Sequence, residues 1–264
     1  MSQIEEAVPG DVPIVLVHGN PETDVVWDPL VARLVESGHD EPVRLSPPGF
    51  GAPVPDGFGA TAAEYLAWLI AELEDIGEPV DLVGHDVGGA HAIGVAMSRP
   101  DLLHSWCADG LGVLDPDYQW HELAQVWQTP GPGEEWIAAN LERSPEQRAA
   151  FLNEHGMEAS IAARVATGFD EAMGSCILSL YRSRRPEHLA VVSADLGAAA
   201  ARPGLAMLAT GDTLVGTDEQ KRRSAARAGA LVAELPGLRH WWMTEDDCRP
   251  GAEALTAFWT SLAT

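Results

Sequence analysis

Six short apolar runs recur along this chain. Each ends in a turn rich in Gly, Pro or Asp. They are VPIVLVHG (12–19), PVRLSPPGFG (42–51), PVDLVGHD (79–86), LLHSWCADG (102–110), GLAMLATGD (204–212) and ALVAELPG (230–237). Helix-like stretches lie between or after them, at 27–37, 61–76, 88–98, 217–228 and 251–262. Continuous apolar runs belong to strands buried on both faces, and strands that alternate with helices build parallel sheets. The sequence therefore predicts an α/β fold, a mostly parallel sheet flanked by helices. Ligands on such a sheet bind outside the carboxyl ends of the strands. The turn after each run is where chemistry is expected.

The alternation stops between about 113 and 200. That stretch has no clear strand, several tryptophans, a turn-rich TPGPGEEW segment (129–136) and a helix-like PEQRAAFLNEHG (145–156). It reads as an inserted helical cap over the strand ends. The expected division is a core of residues 1–113 and 200–264 with a cap of 114–199. The alanine run in 197–202 reads as a hinge or short helix closing the cap.

Charge and composition narrow the partners. Sixteen basic residues against 40 acidic give a formal charge of −24. That field repels nucleic acid and anionic membrane, and disfavours strongly anionic substrates unless a local basic pocket overrides it. No apolar run reaches the roughly 18–20 residues of a membrane span. The N-terminal MSQIEEAVPGDVP lacks the basic start and apolar core of a secretory signal. Cys107, Cys176 and Cys248 are far apart and form no C-x-x-C pair. A reduced, cytoplasmic protein is expected, with a small apolar or amphipathic substrate as partner. A homo-oligomer is compatible with these features. No cofactor is implied and no metal is expected, because His18, His85 and His91 do not have ligand spacing.

The most specific motif is GHDVGG at 84–89. It has the form of a nucleophile elbow, the strand-to-helix turn written G-x-S-x-G in serine hydrolases. Asp86 holds the serine's place, and Gly84, Gly88 and Gly89 supply the small neighbours that a sharp bend needs. Nucleophile, acid, then histidine is the chain order for this elbow. His240 follows the last strand, and Asp212 ends the strand before it. Asp109, at the end of the fourth strand, is a rival for the acid. In HGNPE (18–22), Gly19 lets main-chain N–H groups approach. Those of Asn20 and Val87 would form an oxyanion hole.

An aspartate changes the chemistry. A carboxylate is ionised near neutral pH without a base. It is a poor nucleophile toward amides and carboxylic esters, but a good one for displacement at an electrophilic sp³ carbon. The product is an alkyl ester of Asp86. His240, oriented by Asp212, would then activate water to hydrolyse it. The leaving group would be an epoxide oxygen or a halide.

At these motifs the chain resembles the α/β-hydrolase-fold epoxide hydrolases and their dehalogenase cousins. The resemblance covers HGNPE, SPPGFG, GHDVGG, Asp212 and HWWMTED. It implies an epoxide hydrolase in which two cap tyrosines donate to the opening ring. Tyr118 in DPDYQW and Tyr181 in SLYRS are similar to those positions. The near alternative that it implies is a haloalkane dehalogenase. Asn20 stands where one subgroup has a halide-binding Asn, and Trp120 resembles a cap position of haloacetate dehalogenases. The halide-binding Trp after the nucleophile is replaced by Val87, and the arginines that hold haloacetate are missing beside Asp86. Phe50, in the PPGFG loop, is expected to line the pocket. A third, lesser reading is a non-catalytic ligand receptor on the same fold, which the loss of a triad member would favour.

Overall fold

A computed structural model describes residues 12–184, 189, 193–245 and 248–263. The six apolar runs form six strands: β1 Ile14–Val17, β2 Val43–Leu45, β3 Val80–Gly84, β4 Leu103–Ala108, β5 Gly204–Ala209 and β6 Leu231–Leu235. They make one sheet in the order β2-β1-β3-β4-β5-β6, with every pair parallel. β1, β3 and β5 are buried along their whole length, as expected of strands covered on both faces. β6 is an edge strand, and its Leu231 and Val232 are exposed.

Helices α1 (Asp28–Glu36), α2 (Ala62–Ile76) and α3 (Val87–Ser98) follow β1, β2 and β3. Successive side chains of a strand point to opposite faces. In β1, Ile14 and Leu16 face one core with Leu30 and Leu34 of α1, while Val15 and Val17 face the other with Leu69 of α2 and Ile93 of α3. Thr61 caps α2, accepting from Glu64 N–H while the Glu64 carboxylate accepts from Thr61 N–H.

Among the described residues, the α-helices between β4 and β5 include α4 Glu122–Gln128, α5 Pro132–Glu142, α6 Pro145–Glu154, α7 Ala159–Val165 and α8 Glu171–Ser183. The TPGPGEEW segment is only in part a turn. Its second half is helical, because Pro132 sits in the first turn of α5 and Glu134 accepts from the N–H of Gly131. The alanine run forms a short 3₁₀ helix, Leu196–Ala201. Its Ala199 carbonyl accepts from the indole of Trp106 in β4. A third apolar cluster, with Phe50, Tyr65, Val87, Trp127, Ile177 and Tyr181, joins the inserted helices to the strand ends. After β5 come α9 (Asp218–Arg227), then β6 and α10 (Arg249–Leu262), which packs against α1. Among the described residues no helix is long and apolar enough to cross a membrane. All three cysteines are buried and unpaired.

Candidate active site

Asp86 stands between β3 and α3 with φ 49° and ψ −117°. A non-glycine residue at positive φ is strained, and such strain concentrates at functional positions. The bend is held by close backbone packing. A Cβ on Gly88 would lie 2.4 Å from the Val17 carbonyl oxygen, and one on Gly84 would lie 2.5 Å from that of Gly88. Gly19 is fixed by Asp86 itself, since a Cβ there would meet Asp86 Oδ2 at 2.6 Å.

The Asp86 carboxylate accepts from the main-chain N–H of Asn20 at 3.2 Å. Burial raises its proton affinity above the usual carboxylate range, although His240, His85 and the Val87 N–H pull the other way. The carboxylate opens onto a cavity of about 100 Å³, shared with His240, Tyr118, Tyr181, Trp120 and Trp127.

His240 Nδ1 faces Asp212 Oδ2 at 3.0 Å. Asp212 Oδ1 also accepts from the Leu214 N–H at 2.8 Å. Burial opposes the Asp212 charge, but His240 outweighs it and the carboxyl sits well below its ordinary value. Burial likewise opposes protonation of His240. Asp212 and Asp86 win, and its proton affinity is raised. Lys221, buried in α9, donates to the carbonyls of Ala209 and Asp212 and so holds the turn that carries the acid.

Asp109 is not beside His240 Nδ1. Its Oδ1 accepts from the Asp86 main-chain N–H at 2.8 Å, and its Oδ2 faces His85 Nδ1 at 2.5 Å. The other His85 nitrogen faces Glu22 Oε1 at 3.1 Å. Ligand atoms of Glu22, His85 and His240 lie within 4.8 Å of one another. Both nitrogens of His85 are taken by carboxylates and Nδ1 of His240 by Asp212, so the group reads as a hydrogen-bonded ion cluster.

The two tyrosines differ. Tyr181 is buried, and its hydroxyl oxygen accepts from Asn20 Nδ2 at 3.2 Å. Its own proton is therefore free to be donated. Tyr118 donates its proton to the Leu214 carbonyl at 2.9 Å. Burial and the Asp86 charge push both phenols above their usual range, so each stays protonated near neutral pH. The indole N–H groups of Trp120 and Trp127 are buried and have no hydrogen-bond partner among the described residues. Phe50 does not line the Asp86 cavity. It packs on Tyr65 and borders a separate small void with His18, Val87 and His91.

Glu22, His85, Trp241 and Trp242 carry more of the site than their sequence context indicates. Glu22 sits inside the HGNPE turn, and an acidic residue just after a fully apolar strand is the available signal. The indoles of Trp241 and Trp242 donate to Glu22 and Asp109.

A family model described as the alpha/beta hydrolase family matches residues 14–254. A curated relative, the (E)-2-((N-methylformamido)methylene)succinate hydrolase of Acinetobacter baylyi, is 30% identical over 92 residues. The match takes in 34% of each chain, so this chain spans about a third of the length of the curated relative it matches. Among solved structures, a loop variant of the haloalkane dehalogenase DbeA from Bradyrhizobium elkanii superposes with a TM-score of 0.71 at 20% identity, covering 97% of this chain and 93% of that one. An E-2-(acetamidomethylene)succinate hydrolase superposes with a TM-score of 0.70 at 17% identity, covering 94% and 91%. At those identities the structures speak for the fold alone. With the family match running from the first strand into the last helix, the chain belongs to the alpha/beta hydrolase family.

Proposed function

We propose that the protein hydrolyses small epoxides to vicinal diols through an alkyl ester on Asp86, with residues 114–199 as its cap. The observation that carries this reading is the Asn20–Tyr181 hydrogen bond beside Asp86. It leaves the phenol proton available in the same cavity as the carboxylate. Asp86 attacks a ring carbon and the C–O bond breaks. The released oxygen takes the proton of Tyr181. Water then attacks the ester carbonyl carbon while His240 takes its proton. The Asn20 and Val87 N–H groups hold the resulting oxyanion. Collapse breaks the ester bond, the diol oxygen leaves with a proton returned by His240, and the proton left on the Asp86 carboxyl passes to the Tyr181 phenolate, which restores both groups. Tyr118 is a weaker candidate for the ring-opening acid, since its proton is already held by Leu214.

A second reading is dehalogenation by the same nucleophile. The unpartnered indole N–H groups of Trp120 and Trp127 favour it, because a halide needs such donors.

A His240→Gln variant separates the two. Blocking the water step traps the ester, and intact mass after exposure to a panel of epoxides and bromoalkanes reads it. A gain equal to a whole epoxide is expected. A gain of an alkyl group with release of bromide would establish the dehalogenase instead, and no adduct of either kind would refute Asp86 as the nucleophile.

A further inference from the structure

Beneath the cavity lies a second set of charges that the ester chemistry does not use. Glu22, His85 and Asp109 are 0%, 0% and 5% exposed. We propose that these three are positioning residues: His85, protonated on both nitrogens between the two carboxylates, is a fixed cation that registers the nucleophile loop against the base loop and opposes protonation of His240. The proposal rests on His240 being the base.

The hydrogen bonds require that charge. An ionised carboxylate only accepts, so a ring with a carboxylate on each nitrogen must carry two protons. The distances are 2.5 Å to Asp109 and 3.1 Å to Glu22. Burial disfavours the imidazolium, but Asp109 and Glu22 outweigh it and lift His85 well above its usual range. In turn, burial pushes the Glu22 carboxyl up, and His85 overrides this to leave it at about 2.

The two carboxylates tie four strand-end loops to this ring. Glu22 Oε2 accepts from Gly19 N–H at 3.1 Å, in the turn after β1. Asp109, after β4, accepts from Asp86 N–H in the elbow after β3. Trp241 and Trp242, after β6, donate to Glu22 at 2.5 Å and to Asp109 at 2.6 Å. His240 is the next residue in that last loop, and its ring centre lies 4.7 Å from that of His85.

The base feels opposed charges. Asp212 and Asp86 raise its proton affinity, and His85 lowers it. Glu22 and, from the inserted helices, His121 also interact with it. His85 itself faces Glu22, Asp109, Asp86, His18 and His240, with the Trp27 ring edge-on. A base that must accept a proton from water needs to be empty in the resting enzyme. A fixed cation beside it offsets the two carboxylates that would otherwise keep it filled.

The test needs no substrate, so its failure is separable from failure of the proposed reaction. Imidazole ¹⁵N resonances of the resting enzyme are followed against pH in the wild type, His85→Gln and Glu22→Gln. His85 is expected to remain doubly protonated across the neutral range. The His240 midpoint should move up when the cation is removed and down when the Glu22 charge is removed. A merely structural role would not produce shifts of opposite sign. A neutral or titrating His85, or shifts of His240 that are absent or in the same direction, would overturn the proposal. If His85→Gln does not fold, the wild-type His85 spectrum and the Glu22→Gln shift still decide.

Discussion

Gly88→Ala is the sharpest test of how the elbow is built. The new methyl would sit 2.4 Å from the Val17 carbonyl oxygen and 2.6 Å from that of His18. Ordinary contact begins at about 3.4 Å, so α3 and β1 must part by roughly 1 Å. Both obstacles are main-chain atoms, one in the last residue of β1 and one in the residue after it, so no side chain can rotate away. Overpacking of this kind costs about 1–3 kcal/mol of stability. The catalytic loss should be larger, because Asp86 and Val87 precede Gly88 directly and the Asn20 N–H follows Val17 by three residues. A misplacement of about 1 Å at a reacting group costs on the order of 100-fold. The assay is the rate of adduct formation on Asp86 by intact mass, with urea unfolding in parallel. Gly94→Ala on the same helix is the control, since its methyl meets the end of the flexible Leu66 side chain at 3.0 Å. Adduct formation within about threefold of wild type in Gly88→Ala would refute the argument that close packing sets the nucleophile.

Further outcomes follow from the hydrogen bonds. Tyr181→Phe should slow epoxide opening by about 100-fold or more, and Tyr118→Phe by much less, as single-turnover rates would read. Equal losses would show that the Leu214 contact does not withhold the Tyr118 proton. Asp212→Asn should leave alkylation of Asp86 nearly intact but slow ester hydrolysis by roughly 10⁴-fold, so the adduct accumulates in the mass spectrum. Unimpaired turnover would remove Asp212 from the proposed triad. Glu22 is held at about 2, against 4.5 in an unfolded chain. Its carboxylate therefore stabilises the fold fully above about pH 4.5, and that contribution is lost as pH falls towards 2. The gap in urea midpoint between wild type and Glu22→Gln should shrink over that interval. A gap independent of pH would refute the ion pair.

The fold was legible because its signal is local. Each strand is a short apolar run with a turn after it, and no contact from elsewhere is needed to recognise one. The order of Asp86, Asp212 and His240 was legible for the same reason, since each ends or follows a strand. What pairs with what was not. Asp109 and Asp212 occupy equivalent strand ends in the sequence. Only the fold directs the first to His85 and the second to His240. The difference between Tyr118 and Tyr181 depends on a carbonyl 96 residues away in one case and an amide 161 residues away in the other. Nothing local marks Trp241 and Trp242 as donors to Glu22 and Asp109, because an indole's single polar atom leaves no trace in periodicity.

Asp109 grips residue 86 by its main-chain N–H and not by its side chain. The Asn20 N–H reaches the carboxylate, but the main chain that presents it belongs to the turn after β1. The frame that places residue 86 is thus indifferent to which side chain it carries. A carboxylate and a hydroxyl would be delivered to the same spot, beside His240 and the Asn20 N–H. Displacement at a saturated carbon and attack on an acyl group then stand one side chain apart on an unchanged scaffold. A lineage built this way can exchange its chemistry without rebuilding its architecture.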